Sequence, residues 1–341
     1  MNWWKRLRNN PLARWGAALL LAFYLVAIFA DWVAPYSPTE SQAAPLLPPT
    51  TIYWRTPAGQ WMGPHVYPVS QGAIDLETGD RPLLVDFSQP SPIRLFVNGH
   101  LFGTIGPGHL NLLGTDEQGR DQFSRLVHGG RISLFVGLVG VAISFPLGML
   151  VGGVAGYFGG WVDAVLMRIV EVLLTLPTLY LLITLAAILP TGLSSSQRFL
   201  LIVVITSFVS WAGLARVIRG QVLSIKEREY VQAAQAMGGR PLYIILRHVL
   251  PQTATYVIIS ATLTVPSFIL AESVLSLIGL GIQQPDASWG NMLSLATNAS
   301  VIVLHPWLVA APAQMIVLTV LAFNLLGDGL RDALDPRSLQ R

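Results

Sequence analysis

Two long uncharged stretches constrain what this chain can fold into. No Asp, Glu, Lys or Arg occurs between Arg131 and Asp163, and none occurs between Glu171 and Arg198. Each stretch exceeds the roughly 20 residues that a helix needs to cross a bilayer. Neither shows the alternation of polar and apolar residues that a membrane β-barrel requires. With 52% hydrophobic and only 11% charged residues, the chain is predicted to be an all-α polytopic membrane protein.

Six transmembrane helices are predicted from the apolar runs. The region 287–304 also lacks charged residues, but its asparagines and serines make it too polar for a seventh span. We therefore expect an interfacial helix or loop there. The predicted spans cover residues 14–35, 132–157, 163–190, 198–219, 252–281 and 305–327.

The distribution of basic residues predicts the orientation of the chain. Lys5, Arg6, Arg8 and Arg14 crowd the N-terminus, whereas the connections after the third and fifth predicted spans contain no Lys or Arg. The positive-inside rule then places the N-terminus, the C-terminus and segment 220–251 in the cytoplasm. The predicted organisation is a cytoplasmic N-terminus (1–13), a first helix (14–35), an extracytoplasmic insertion (36–113) and a core with five further helices (114–341).

The predicted insertion has the composition of a small β-rich element. Two short runs, 83–87 and 93–97, resemble strands, and Asn98-Gly99 after the second run is a strong hairpin signal. Six aromatic residues of the insertion have a role that the sequence leaves open. They can form its core, rest on the membrane interface, or contact a substrate or delivery protein. These residues are Tyr53, Trp54, Trp61, Tyr67, Phe87 and Phe96.

A polar helical segment lies between the fourth and fifth predicted spans. Gly238-Gly239 predicts the end of a first short helix, and Pro241 predicts the start of a second. Spacing alone allows a docking surface for a partner or a hairpin that covers the end of its own bundle. One small apolar face of the first helix is predicted to carry Tyr230, Ala233, Ala234 and Met237. The apolar side of the second helix is predicted to carry Leu242, Ile245, Leu246 and Val249.

Three motifs in a fixed order carry a family resemblance. Gln232-Ala233-Ala234 with Gly238, followed by His248-Val249-Leu250-Pro251, resembles the EAA motif of ABC-importer permeases. The lead-in to the second span, Gly114-Thr115-Asp116 to Gly119-Arg120-Asp121, and the tail from Leu326 to Pro336 resemble elements of the oligopeptide/dipeptide/nickel branch. Outside residues 40–110, the chain resembles the C-type inner-membrane permease subunit of that branch.

This resemblance implies the type I ABC importer permease fold in a bacterial or archaeal inner membrane. It also implies several partners, namely a homologous second permease, two cytoplasmic ABC ATPases that bind ATP and Mg, and an extracytoplasmic substrate-binding protein. The chain would form half of a translocation path for di- or oligopeptides. Nickel chelates and other small solutes are the alternative cargo.

The resemblance assigns segment 226–251 to coupling with the ATPases. A short helix seated in a cleft of an ATPase would move as the cleft closes on ATP, and the attached spans would move as rigid rods. The usual first Glu of the motif is Gln232 here, so Glu229, one turn earlier, is the expected acidic contact. The predicted coupling residues are Glu229, Tyr230, Gln232, Ala233, Ala234, Met237, Gly238 and Tyr243.

The chain is not predicted to be an enzyme. Its lysines, Lys5 and Lys226, do not follow the glycine-rich loop of a Walker A phosphate cradle, and no metalloprotease or nucleophile-elbow motif occurs. The absence of cysteine excludes disulfides and thiolate metal sites, and no cofactor site is expected within the chain. The basic balance is attributed to cytoplasmic arginines rather than to nucleic-acid binding.

Glu272 is the one ionisable residue deep in the fifth predicted span. A polar staple or a gate contact is favoured over substrate recognition. Pro177 and Pro266 can kink their spans, which fits gate-forming helices and also plain packing. A stand-alone secondary transporter would need more intramembrane charges than Glu272 provides. Arg168 and Glu171 are expected to form an internal pair.

The polar lead-in before the second span contains two carboxylates. Asp116 and Asp121 lack the ligand pattern of a calcium loop. A local network with Arg120 and Arg125 is therefore predicted in place of a cation site.

Overall fold

The computed structural model describes residues 3–41, 43–73, 81–190 and 192–334. The helices are α1 Trp3–Asn9, α2 Pro11–Ile28, α3 Ala30–Val33, α4 Gln122–Phe158, α5 Gly160–Thr175, α6 Thr178–Ala187, α7 Ser195–Ile225, α8 Glu229–Ala236, α9 Pro241–Ile244, α10 Ala254–Leu277, α11 Trp289–Met292, α12 Ala299–Leu304 and α13 Pro306–Leu334. The strands are β1 Tyr53–Arg55, β2 Trp61–Val66, β3 Val69–Gln71, β4 Leu83–Val85, β5 Ser91–Val97 and β6 His100–Thr104.

Several helices are long and apolar enough to cross a membrane. Among the described residues there are five such helices, and the bent pair α5 and α6 makes a sixth candidate if it counts as one span. The predicted all-α membrane architecture is therefore supported at the level of five to six spans. The five helices are Pro11–Ile28, Gln122–Phe158, Leu200–Ile225, Pro241–Leu277 and Pro306–Leu334.

The third predicted span, 163–190, consists of two helices. Helices α5 and α6 are bent by 85° at the break between them. Leu176 at this break is extended, with φ −79° and ψ 130°. The next residue is Pro177, which lacks an amide hydrogen and disfavours helical backbone in the residue before it. The kink that the sequence allows at Pro177 is thus a full break between two helices.

The second predicted span, 132–157, starts too late. Helix α4 begins at Gln122, because the polar lead-in supplies its N-terminal cap. The Asp121 carboxylate accepts hydrogen bonds from the Ser124 amide at 2.8 Å and from the Ser124 hydroxyl at 2.6 Å. Such a cap satisfies amide hydrogens that have no partner inside the helix.

The described residues form two compact units. The first comprises 3–21, 135–275 and 317–334, and the second comprises 22–134 and 276–316. Within the first unit, α4 and α10 approach closely at Gly140, where an added Cβ would lie 2.5 Å from the ring of Phe268. Small residues permit such close approach between membrane helices.

The second unit contains a four-stranded antiparallel sheet in the order β1-β2-β5-β6 and a separate β3-β4 ribbon. The predicted hairpin at Asn98-Gly99 joins β5 to β6, with Val97 opposite His100. Asn98 and Gly99 adopt positive φ values of 50° and 84°, as a two-residue hairpin turn requires. The predicted run 83–87 forms the shorter strand β4.

The six aromatic residues of the insertion divide into three groups. Tyr53, Tyr67 and Phe87 pack edge to face, with ring centroids 5.0 to 6.0 Å apart. Trp54 and Trp61 lie against each other and are exposed. Phe96 is also exposed. Three of the six therefore pack together around the buried Tyr67, although Phe87 stays 49% exposed.

Region 287–304 forms short helical pieces, as expected for an interfacial segment. They are α11, the 3-10 turn Leu293–Thr297 and α12. Trp289 at the start of α11 is fully buried, and its ring nitrogen donates a hydrogen bond to the Leu126 carbonyl at 2.9 Å. This residue anchors the region within the second unit.

Candidate functional site

The segment between α7 and α10 forms the predicted helix-turn-helix. Helix α8 begins at Glu229, and Gly238 ends it with a positive φ of 80°. The Gly239 amide donates to the Ala234 carbonyl at 3.0 Å, which closes the C-terminal turn. Pro241 then occupies the first turn of α9, where its missing amide hydrogen costs nothing. Both predicted helix boundaries are confirmed.

Helix α8 has a buried face and an exposed face. Val231 and Ala234 are buried in a core cluster with residues of α7 and α9, including Val222 and Ile244. The predicted apolar face contained Ala234 together with Tyr230, Ala233 and Met237. The structure differs only at Ala234, which is buried. The small methyl of Ala234 packs inward at the i+3 position from Val231.

The remaining residues of the predicted face stay exposed. Met237 has 82% of its surface exposed, and Tyr230, Ala233 and Gly238 beside it are exposed as well. Tyr243 on α9 is also exposed. These five residues, called the α8 face below, leave apolar side chains open to a partner.

The polar side chains of α8 have separate tasks. The Gln232 amide donates to the Glu227 carbonyl at 3.2 Å and so holds the turn that precedes the helix. The Gln235 amide donates to the Tyr157 hydroxyl on α4 at 3.1 Å. Glu229 is exposed in the first turn, where a carboxylate is favoured by the helix dipole.

The second helix differs from its predicted pattern. Ile245 and Val249 are buried as predicted, whereas Leu242 and Leu246 are exposed. Residues Ile245–Val249 form a π-helical turn, which changes the side-chain spacing from that of an α-helix. The turn precedes Pro251, whose missing amide hydrogen frees a carbonyl of the preceding turn.

The fifth span also begins earlier than the predicted residue 252. The helical run is continuous from Pro241 through Pro251 to Leu277. The predicted coupling segment is thus joined directly to a span. Glu272 lies in this run with 1% of its surface exposed, and it interacts with other groups of the protein. Pro266 lies within α10, which is helical on both sides of it.

Comparison with known proteins identifies the family. The family described as "Binding-protein-dependent transport system inner membrane component" matches residues 145–340. The chain belongs to this family. The family described as "N-terminal TM domain of oligopeptide transport permease C" matches residues 2–49. The resemblance to the C-type permease of the peptide branch is confirmed, although Asp335 and Pro336 of its tail motif lie outside the described residues.

Curated relatives of this inner-membrane component are named for peptide transport. The chain is 37% identical to the dipeptide transport system permease protein DppC of Bacillus subtilis, over 98% of this chain and 84% of that protein. It is 44% identical to the oligopeptide transport system permease protein OppC of Escherichia coli, over 74% and 77%. It is 43% identical to OppC of Haemophilus influenzae, over 67% and 70%.

The lead-in of this family member forms a buried charge cluster, as predicted. Arg120 Nη2 lies 2.6 Å from Asp116 Oδ2, and Arg125 Nε lies 3.4 Å from the same oxygen. Arg125 Nη1 also donates to the carbonyls of Pro38 and Pro285, each at 3.0 Å. Among the described residues, no group of three or more His, Cys, Asp or Glu could hold a metal ion. The cluster joins three segments of the second unit.

Asp121 has a different role from the predicted partner of these arginines. Its Oδ2 atom caps α4, while its Oδ1 atom is buried without a hydrogen-bond partner. Burial raises the pKa of Asp121 to about 6, and the nearby Asp116 carboxylate acts in the same direction. The hydrogen bonds from Ser124 oppose this rise.

Two ion pairs lie on the helices of the first unit. Arg168 and Glu171 pair at 3.2 Å as predicted, but their side chains are 80% and 52% exposed, so the pair is not internal to this chain. Arg219 Nε donates to Asp163 Oδ1 at 3.0 Å and its Nη2 bonds the second carboxylate oxygen. Sequence spacing did not identify this second pair, because its members are on different helices.

Proposed function

We propose that this chain is the membrane-spanning permease subunit of an ATP-driven peptide importer. It forms half of the translocation path for di- or oligopeptides and couples to cytoplasmic ATPases through segment 226–251. The α8 face carries this proposal, because its apolar residues are exposed in a region that matches the family. The relatives named for dipeptide and oligopeptide transport support peptides over nickel chelates or other small solutes.

Coupling requires that a push on α8 reaches the spans. Val231 and Ala234 pack into the same core cluster as α7 residues such as Ile218. The bond from Gln235 to Tyr157 ties α8 to α4 as well. A rigid displacement of α8 is therefore transmitted through packed side chains to two long helices. We propose that this chain is non-catalytic and that its partner subunits bind ATP and Mg.

The proposed assembly contains a second homologous permease, two ABC ATPases and an extracytoplasmic substrate-binding protein. The chain lies in a bacterial or archaeal inner membrane, with both termini in the cytoplasm. Residues 36–113 then form a β-rich extracytoplasmic insertion. We further propose that Glu272 serves as a polar staple or gate contact in the same helix as Pro266, since it is buried and engaged within its own chain.

The coupling role is tested by Met237→Asp. Met237 is almost fully exposed, so a carboxylate there stays solvated in the isolated chain but loses its water in an ATPase cleft. An unpaired charge buried in this way costs several kcal/mol, so a penalty of about 3 kcal/mol predicts a roughly 100-fold weaker association. Gly238 is a less suitable site, because its φ of 80° makes any side chain strained.

The assay is peptide-dependent ATP hydrolysis and peptide uptake by the complete importer in proteoliposomes. We expect Met237→Asp to insert normally and to lose both activities. Met62→Asp is the matched control, since Met62 is an exposed methionine in β2. Normal uptake by Met237→Asp would refute the docking role, and the cargo itself is identified by the ligand that the cognate binding protein carries.

A further inference from the structure

The hairpin of β5 and β6 exposes large apolar side chains close to its turn. Residues 95–99 are called the hairpin tip here. Leu95 is 69% exposed and Phe96 is 70% exposed. Phe96 has a positive φ of 58°, which a bulky residue rarely adopts. The tip therefore holds two large apolar side chains outward at some cost to its backbone.

The hairpin tip is fixed beside α3. His100 Nδ1–H donates to the Asp31 carbonyl at 2.9 Å, and the ring centroids of Phe96 and Trp32 are 6.3 Å apart. The Asp31 carboxylate is held in turn by Arg131, whose Nη2 lies 2.8 Å from Oδ2. The tip is thus attached to the end of the first span that is remote from the N-terminus.

An exposed apolar stripe along the first span leads to the tip. Leu25, Ile28, Phe29 and Trp32 are exposed and follow the i, i+3, i+4 and i+7 spacing of one helix face. On a membrane-spanning helix, such a face is suited to lipid. A tryptophan at the end of the face is typical of the boundary between bilayer and water. Through the contact of Trp32 with Phe96, the stripe and the tip form one surface.

We propose that the hairpin tip inserts into the bilayer interface as a second anchor beside the first span. Lipid is the occupant that this continuity favours, because the tip extends the outward face of a helix that crosses the bilayer. Leu95 and Phe96 then contact acyl chains, and the turn Asn98-Gly99 enters the interface with them. The proposal depends on the membrane location of the family and not on peptide transport.

A single spin label tests the insertion directly, because the chain contains no cysteine. Phe96→Cys is labelled with a nitroxide in the complete importer, reconstituted in phosphatidylethanolamine and phosphatidylglycerol vesicles. Power-saturation EPR compares collisions with oxygen, which concentrates in lipid, and with a water-soluble nickel chelate. We expect the label at position 96 to collide several-fold more with oxygen. Leu95→Cys repeats the measurement at an equally exposed neighbour.

The control is Ile105→Cys, an aliphatic residue that is 57% exposed at the far end of the same hairpin. Its amide bonds the Pro92 carbonyl at 3.0 Å, four residues and roughly 13 Å along the strand from Phe96. We expect it to collide mainly with the nickel chelate. Frequent collisions of the labels at positions 95 and 96 with the nickel chelate would overturn the proposal. So would few collisions with either reagent, because a protein partner would then cover the tip. Equal lipid contact at position 105 would contradict an insertion confined to the tip.

Discussion

The Asp116 carboxylate is the centre of the buried cluster that precedes α4. Its Oδ1 accepts the amide hydrogens of Gln118 at 2.9 Å and Arg120 at 3.0 Å. Its Oδ2 accepts from Arg120 Nε at 2.8 Å and contacts Arg125 Nε at 3.4 Å. Both arginines are almost fully buried. Asp116→Ala therefore leaves two buried guanidinium groups without their nearest carboxylate.

The size of the loss follows from these contacts. Removing one partner of a buried ion pair costs about 3–5 kcal/mol, because the remaining charge stays out of water. Arg120 and Arg125 keep hydrogen bonds to the Pro285 carbonyl, which offsets part of that cost. We expect about 3 kcal/mol, which lowers the ratio of folded to unfolded protein roughly 100-fold.

The free energy of unfolding is measured by SDS titration in mixed micelles, followed by circular dichroism. Glu171→Ala is the matched control, since Glu171 pairs with Arg168 on an exposed surface. Exposed pairs contribute at most about 1 kcal/mol, so this control should stay close to wild type. An Asp116→Ala midpoint equal to that of the control would refute the stabilising role of the cluster.

Four further substitutions have expected outcomes. Gly140→Ala should lower the free energy of unfolding by about 1–3 kcal/mol, because the added Cβ would lie 2.5 Å from the ring of Phe268. Gly213→Ala on α7 has open space around the added Cβ and should leave stability unchanged. The melting temperatures of the two variants check both expectations. The raised pKa of Asp121 means that the folded state binds more protons than the unfolded state between pH 3.8 and about 6. The contribution of Asp121 to the free energy of unfolding therefore falls as the pH rises through that window. Asp121→Asn should accordingly reduce the change in unfolding midpoint between pH 4 and pH 7. A variant with the same pH profile as the wild type would contradict this. Gln232→Glu should lose the donor that holds the turn before α8 and cost about 1 kcal/mol in unfolding titrations, and a gain in stability would count against that role.

Much of the fold follows from local sequence rules. Uncharged runs set the positions of the spans, because a bilayer requires about 20 apolar residues in a helix. Gly238 and Pro241 set the boundaries of the helix-turn-helix, because each has one favoured backbone role. The Asn98-Gly99 turn is specified equally locally.

Other features depend on packing that a single segment does not encode. Pro177 signals a break, but the 85° bend between α5 and α6 depends on where each helix packs. Ala234 suits either face of α8 by size, and only the cluster around Val231 turns it inward. The π-helical turn Ile245–Val249 departs from the α-helical spacing, so a regular 3.6-residue spacing misplaces Leu246. The coupling role of segment 226–251 follows from the family resemblance alone. Residue spacing allows both a docking surface and a hairpin that covers the end of its own bundle.

The central claim is that the α8 face docks onto an ATPase subunit. Because the chain contains no cysteine, a photoactivatable cross-linker at Met237→Cys is the only one on this chain in importer purified from native membranes. The account predicts an adduct with a subunit that contains a Walker A motif, and none from the matched site Met62→Cys. Efficient peptide transport by a complex in which position 237 cross-links only to its own chain or to lipid would contradict the claim.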